Sequence, residues 1–186
     1  MQTMPVDPPK LRLQIYPTEV LRRKAEPIDV TPETIAVAER MVEIMRSAEG
    51  IGLAGPQVDL SWRLFVCHVP PDDERSPDTD PPTACAQPQV FINPEIIRYD
   101  GPPEPYEEGC LSLPGILGEV LRPPVVTVRA LGLDGKPFEA RAAGLLARCW
   151  QHEIDHLDGV LIIDKFTQVS RLKNRTAVRS LEKRAL

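Results

Sequence analysis

Gly144 to Gly159 reads GLLARCWQHEIDHLDG, and this stretch decides how the rest of the chain must be arranged. On an α-helix, residues four apart lie about 40° from eclipsed, so His152 and His156 project one above the other from a single face. Two imidazoles so placed can grip one metal ion. Glu153 follows the first of them but points elsewhere around the helix, which suits a carboxylate that holds a water better than one that completes the ligand set. The alternative is a surface helix with two histidines and a run of charges. Against it stand Leu145, Leu146, Cys149, Trp150, Ile154 and Leu157, which occupy so much of the circumference that the helix must be buried on most sides. Buried histidines and carboxylates without partners are costly, and a cation offsets that cost. Gly159, just past the last apolar residue, is a C-terminal cap.

Two histidines leave a catalytic metal one protein ligand short of three, so a third must come from elsewhere. The other histidine of the chain, His68, sits near the end of an apolar run and reads as a structural or surface residue. Cys110, in Glu107-Glu108-Gly109-Cys110-Leu111-Ser112, is the best-placed candidate, because Gly109 before it permits a tight approach. Cys149 is the rival. It lies three residues before His152 on roughly the same face, and three ligands stacked on one helix cannot easily surround an ion, which favours Cys149 as pocket lining. Cysteine with two histidines suits zinc on chemical grounds.

Composition sets the outer bounds. A chain of 186 residues with 42% apolar content has the material for one core, and 21 prolines with 26% charge imply long polar connections. The formal charge of -5 argues against DNA or other nucleic acid as the main partner, yet Lys165 to Leu186 carries seven Lys or Arg against one Glu. No run reaches the length of a membrane-spanning helix, and the opening residues lack both the apolar core of a signal peptide and the arginines of a transit peptide. Four scattered cysteines do not make a disulfide scaffold, so a reducing, cytoplasmic setting is expected.

Met1 to Lys10 reads as a flexible lead, followed by one catalytic domain over residues 11–169. Leu11 to Ile15 alternates, Tyr16-Pro17 turns the chain, and the segment to Pro27 is an anchoring loop. Thr31-Pro32 starts a helix expected to run to about Ala48 and end at Gly50, with Ile35, Ala38, Met41, Val42 and Met45 as its apolar face. Gly50 to Gln57, GIGLAGPQ, lets backbone come close to something, and Gln57 is its one side chain able to donate a hydrogen bond. Trp62 to Val69 is a strand. Pro70 to Gln89 is a disordered or loosely held insertion, with Cys85 an inert thiol. Val90 to Asn93 and Glu95 to Tyr99 are two further strands, and Val125 to Leu131 with Phe138 to Arg141 form a hairpin around Asp134-Gly135. Leu161 to Ile163 reads as a short strand. Ser170 to Leu186 is a basic amphipathic helix with Leu172, Val178, Leu181 and Ala185 as apolar positions, or else a solvated tail.

Three of these stretches together resemble the signature motifs of the peptide deformylase family. GIGLAGPQ is similar to its Gly-x-Gly-Leu-Ala-Ala-Pro-Gln, EGCLS (Glu108 to Ser112) to the second motif and QHEIDH (Gln151 to His156) to the third, in the same order. IYPTEVLRRKAEPI resembles the family's amino-terminal segment, so the likeness runs from about Leu13 to Lys165. Gly55 departs from the usual Ala, which loosens the loop that holds Gln57.

The resemblance implies an α+β fold, with antiparallel sheets packed around a central metal-binding helix and a C-terminal helix. It implies a metal-dependent hydrolase that removes the formyl group from formyl-methionine at the start of new polypeptides. Cys110, His152 and His156 would be the metal ligands, Glu153 the catalytic carboxylate, and Gln57 with the Leu111 N–H would face the oxyanion, each fixed donor being worth about 3 kcal/mol. The metal implied is Fe2+, which Zn2+, Ni2+ or Co2+ can replace. Gly50, Ile51 and Gly52 would edge a site narrow enough to admit formyl and refuse bulkier acyl groups. Leu145, Arg148 and Cys149 would line the methionine pocket, Arg148 laying its stem along it and keeping its charge in water. Arg122 is expected to brace Glu108 behind the ligands. In bacterial members the C-terminal helix is associated with ribosome docking, which the basic tail here would suit. A zinc endopeptidase shares His-Glu-x-x-His but would need a further His or Glu ligand and an extended cleft. A noncatalytic metal staple would not need Glu153 and Gln57.

Overall fold

The computed structural model describes residues 6–184. Helix α1 (Pro32–Ser47) starts where Thr31 Oγ1 accepts the Thr34 N–H at 3.2 Å and Thr34 Oγ1 accepts the Thr31 N–H at 3.3 Å, with Pro32 in the first turn. Its buried face is Val37, Ala38, Met41 and Met45. Glu49 then takes a left-handed conformation with φ 55°, and the Gly50 N–H closes the end onto the Met45 carbonyl at 2.9 Å.

Five strands, β1 (Gly52–Ala54), β2 (Leu64–Cys67), β3 (Gln89–Asp100), β6 (Val125–Leu131) and β7 (Pro137–Ala143), pair in that order in one sheet, each neighbour antiparallel. β4 (Glu104–Gly109) and β5 (Leu117–Arg122) form a separate two-stranded sheet. Helix α2 (Gly144–Leu157) lies against the larger sheet: Leu146, Ala147, Trp150 and Ile154 pack with Phe65, Phe91 and Val128, and the Trp150 and Phe91 ring centres are 4.9 Å apart. The short α3 (Ile162–Lys165) and the C-terminal α4 (Gln168–Arg184) complete the chain. This is the expected α+β architecture around α2.

Several expectations need correction. The two strands around Asn93 are one bulged strand, because Asn93, at φ 51°, turns its amide onto the backbone of Ile28 at 2.9 and 2.8 Å instead of ending the pairing. Leu161 to Ile163 opens α3 rather than a strand: Asp164 Oδ2 accepts the Leu161 N–H at 2.8 Å and stops a ladder from forming. The residues of the expected strand outside Leu64–Cys67 are unpaired save for single contacts such as the bridge of Trp62 to Glu26. Pro70 to Gln89 carries no helix or strand before Gln89, yet it is not loose. Cys85 N–H bonds the Val69 carbonyl at 2.8 Å, the Ala143 N–H bonds the Pro82 carbonyl at 2.9 Å, and Ala84 and Cys85 are buried. Of the flexible lead, Met1 to Pro5 lies outside the described residues; Val6 bonds Glu33 and packs on the α1 core.

The C-terminal segment is a docked helix, not a solvated tail. Its inner face is Ser170, Asn174, Val178 and Leu181: Asn174 Nδ2 donates to the Leu117 carbonyl at 2.8 Å and Ser170 Oγ accepts the Glu119 N–H at 2.8 Å. Leu172, expected on that face, points outward and is 65% exposed. Ala185 lies outside the described residues. Among the described residues no helix is long and apolar enough to cross a membrane.

Candidate metal centre and cleft

Helix α2 holds its polar residues in place because both its ends are tied down. The Gly144 N–H bonds the Pro124 carbonyl at 3.0 Å, the Ala25 N–H bonds the Leu157 carbonyl at 2.8 Å, and a Cβ on Gly159 would come within 2.6 Å of the Arg22 carbonyl oxygen. On this fixed frame the His152 and His156 Nε2 atoms lie 3.2 Å apart, and Cys110 Sγ is 3.2 Å from His156 Nε2. The three ligand atoms all fall within 4.8 Å of one another. Nitrogens about 2.05 Å from a tetrahedral ion would be roughly 3.3 Å apart, so the spacing fits a single first-row cation. Burial opposes charge on His152, but the Cys110 thiol and Glu108 outweigh it and raise the imidazole to about 10; burial and the charge of His152 hold His156 well below the ordinary value. A cation at this point takes the place of that proton, as binding to such donors requires. Cys149, the rival ligand, instead turns its thiol to the Ile51 carbonyl at 3.4 Å, and His68 stands apart.

Glu108 stands behind the histidines. Its Oε2 is 3.1 Å from His152 Nδ1, a contact that would keep a proton on Nδ1 and leave Nε2 to offer its lone pair to a cation. Arg122 clasps Glu108 through Nε at 2.6 Å and Nη2 at 2.9 Å and reaches Asp155 at 2.7 Å. Burial works against a charge on Glu108, but His152 and Arg122 prevail and hold the carboxyl well below its usual range. The expected pairing of Arg122 with Glu108 is therefore present.

Glu153 is 3% exposed, its Oε2 has no partner among the described residues, and burial pushes its pKa up to about 7 against the pull of His152. Gly52 makes room for it: a Cβ there would sit 2.2 Å from Glu153 Oε1 and 2.9 Å from Cys149 Sγ. Gln57 is oriented by its own oxygen, which accepts the Ala54 N–H at 2.8 Å, so the amide nitrogen faces Ser112 Oγ at 3.2 Å and Cys110 Sγ at 3.6 Å. The Leu111 N–H has no acceptor among the described residues.

A cleft of about 430 Å³ opens on this cluster. One wall is Gly50, Ile51 and Gly52; Leu145, Arg148, Cys149, His152 and Glu153 form the floor; Gln57, Cys110 and Leu111 also border it. The opposite wall is Tyr106 to Gly109 of β4, of which the sequence reading missed Tyr106 and Glu107; it also missed the partners Asp155 and Ser112. Ser112 and Asp155 carried a signal, their places in EGCLS and QHEIDH. Arg148 corrects its expectation: it is 9% exposed, and its charge meets Glu108 at 2.8 Å rather than water.

The polypeptide deformylase profile matches residues 10–172. The chain belongs to that family. It is 43% identical to a peptide deformylase of Chromohalobacter salexigens over 176 residues, covering 94% of this chain and 95% of the relative, and 42% identical to that of Chromobacterium violaceum over 93% and 96%. Among solved structures, peptide deformylase from Ehrlichia chaffeensis superposes with a TM-score of 0.84 at 30% identity, covering 94% of this chain and 96% of that one. A Plasmodium falciparum peptide deformylase complex with inhibitor gives 0.79 at 34%, covering 92% and 99%. As a member of the deformylase family this chain is an enzyme of N-terminal processing, a hydrolase that takes the formyl group from amino-terminal formyl-methionine.

Proposed function

We propose that Cys110, His152 and His156 hold Fe2+, with Zn2+, Ni2+ or Co2+ able to replace it, and that Glu153 is the catalytic carboxylate of formyl removal from N-formylmethionyl peptides. The observation that carries this reading is the unpartnered, buried Glu153 oxygen in a cleft that Cys110 and His152 also line, with buried His156 completing the three converging ligand atoms. When bound, the metal supplies Lewis acidity that makes hydroxide available near neutral pH. Glu153 holds the attacking water and takes its proton, which a carboxylate lifted toward neutrality by burial is suited to do. Attack falls on the formyl carbon, and negative charge grows on its oxygen. The Gln57 amide, fixed by Ala54, and the free Leu111 N–H are donors for that charge. Glu153 then passes its proton to the departing amine. Gly50, Ile51 and Gly52 keep the acyl side narrow, and Leu145, Arg148 and Cys149 line the methionine side chain's place.

The substrates are nascent chains in the cytoplasm, and α4, with Arg171, Arg175 and Arg179 along one groove, is the surface for the ribosome. Formate release from formyl-Met-Ala-Ser, by anaerobically purified protein of assayed metal content, tests the chemistry. Glu153→Gln should keep the metal and lose turnover by at least about 1000-fold; retained turnover overturns the assignment. Removing residues 170–186 should weaken salt-sensitive ribosome binding, and undiminished binding refutes that part.

A further inference from the structure

The two walls of the cleft are attached to α2 by different means. Helix α2 is glued to the five-stranded sheet by apolar side chains, but the two-stranded sheet spends its apolar residues elsewhere: Val120 packs with Leu161, Ile162 and Phe166, away from α2. β4 is exposed along its length except for Glu108. Two residues of α2 join β4 to the cleft end of the helix: His152, whose Nδ1 lies 3.1 Å from Glu108 Oε2, and Arg148, one turn before it. The wider grip is that of Arg148. Its Nη1 donates to Glu108 Oε1 at 2.8 Å and to the Val120 carbonyl at 3.1 Å, its Nη2 donates to the Glu104 carbonyl at 2.9 Å, and its guanidinium carbon lies 5.2 Å from the centre of the Tyr106 ring. Arg122 belongs to β5, so its grip on Glu108 is internal to the hairpin, and its link to the helix is at Asp155, one turn below the cleft. Among the described residues Arg148 alone ties both strands to the helix beside the pocket, since His152 reaches β4 only.

We propose that Arg148 is a positioning residue that straps the β4–β5 hairpin onto α2, sets the width of the pocket between Tyr106 and the helix, and so limits which side chain can follow the formyl group. The proposal rests on the formyl-peptide reading of this cleft. A lysine in its place has its three donors on one nitrogen and lacks the rigid fork that reaches Glu108 and Val120 through Nη1 and the Glu104 carbonyl through Nη2. Without the strap the Tyr106 wall moves outward, and a pocket fitted to a slim, unbranched side chain admits a broader one.

The test uses the metal-loaded full chain with Arg148→Met, Arg148→Lys and, as a control, Arg63→Met. Arg63 bonds Asp158 at 2.8 Å and the Pro94 carbonyl at 3.1 Å and does not line the cleft, so its loss reports destabilisation alone. kcat and KM are measured separately on formyl-Met-Ala-Ser, formyl-Phe-Ala-Ser and formyl-Glu-Ala-Ser, with amide hydrogen exchange over Glu104–Gly109. In Arg148→Met, KM for the methionine peptide should rise about 10-fold with a smaller fall in kcat, the Met-over-Phe ratio of kcat/KM should drop about 10-fold, and the β4 amides should exchange faster. Arg148→Lys should fall between, and Arg63→Met should lower the melting temperature only. An unchanged Met-over-Phe ratio and unchanged β4 exchange would overturn the proposal. So would a loss confined to the glutamate peptide, which would make Arg148 a charge contact for substrate. Absence of formate release by the unmutated protein counts against the functional reading instead, and hydrogen exchange still decides the strap.

Discussion

The cleft has one wall made by packing and another made by charge. On the β1 side, Gly50 and Gly52 bring backbone against Leu111, Cys149 and Glu153, and a methyl group would collide at either position. On the β4 side, a single carboxylate, Glu108, holds Arg122, Arg148 and His152 together. The first wall is set by the absence of atoms and is sensitive to volume; the second is set by buried ions and is sensitive to anything that leaves one unpaired. The geometry that brings Cys110 to the histidines depends on both.

The sharpest way to break the comparison is Glu108→Gln, which leaves buried Arg148 without a carboxylate and Arg122 with Asp155 alone, and should cost about 3–5 kcal/mol of stability, read from urea unfolding, with loss of metal retention. Gly52→Ala should instead cost about 100-fold in kcat/KM through displacement of Glu153, while the urea midpoint moves far less; the two variants should thus separate stability from rate. Acid distinguishes the walls again. Because the folded state holds Glu108 well below its usual range, its contribution is complete above the unfolded carboxyl value of about 4.3 and is lost progressively as pH falls from there through the lower folded value. The stability gap between the unmutated protein and Glu108→Gln should therefore begin to narrow below about pH 5 and go on narrowing with further acid, whereas for Gly52→Ala the gap should stay constant over that range. The smallest effect is expected at Glu49, whose φ of 55° favours glycine; Glu49→Gly should raise stability by about 1 kcal/mol in thermal unfolding. An unchanged or lower stability would show that the Glu49 side chain offsets its backbone strain.

What the sequence alone determined is what depends on neighbours along the chain. Thr31-Pro32 starts α1, Asp134-Gly135 turns β6 into β7, and the histidine spacing on α2 puts two ring nitrogens 3.2 Å apart, because caps, turns and helical period act over a few residues. Cys110 as partner to the histidines was legible only by elimination and by likeness to a family. The paired β4 and β5 were not legible, since Glu104–Gly109 shows no apolar alternation, and the α3 turn was hidden in a run of β-branched residues that Asp164 caps. Least legible was the direction of Arg148. Its position on the cleft face follows from counting along the helix, but whether its charge goes to water or to Glu108 depends on a strand 40 residues away. Only tertiary structure could decide that, because the energy of a buried charge is fixed by which other charges reach it and not by its own place in the chain.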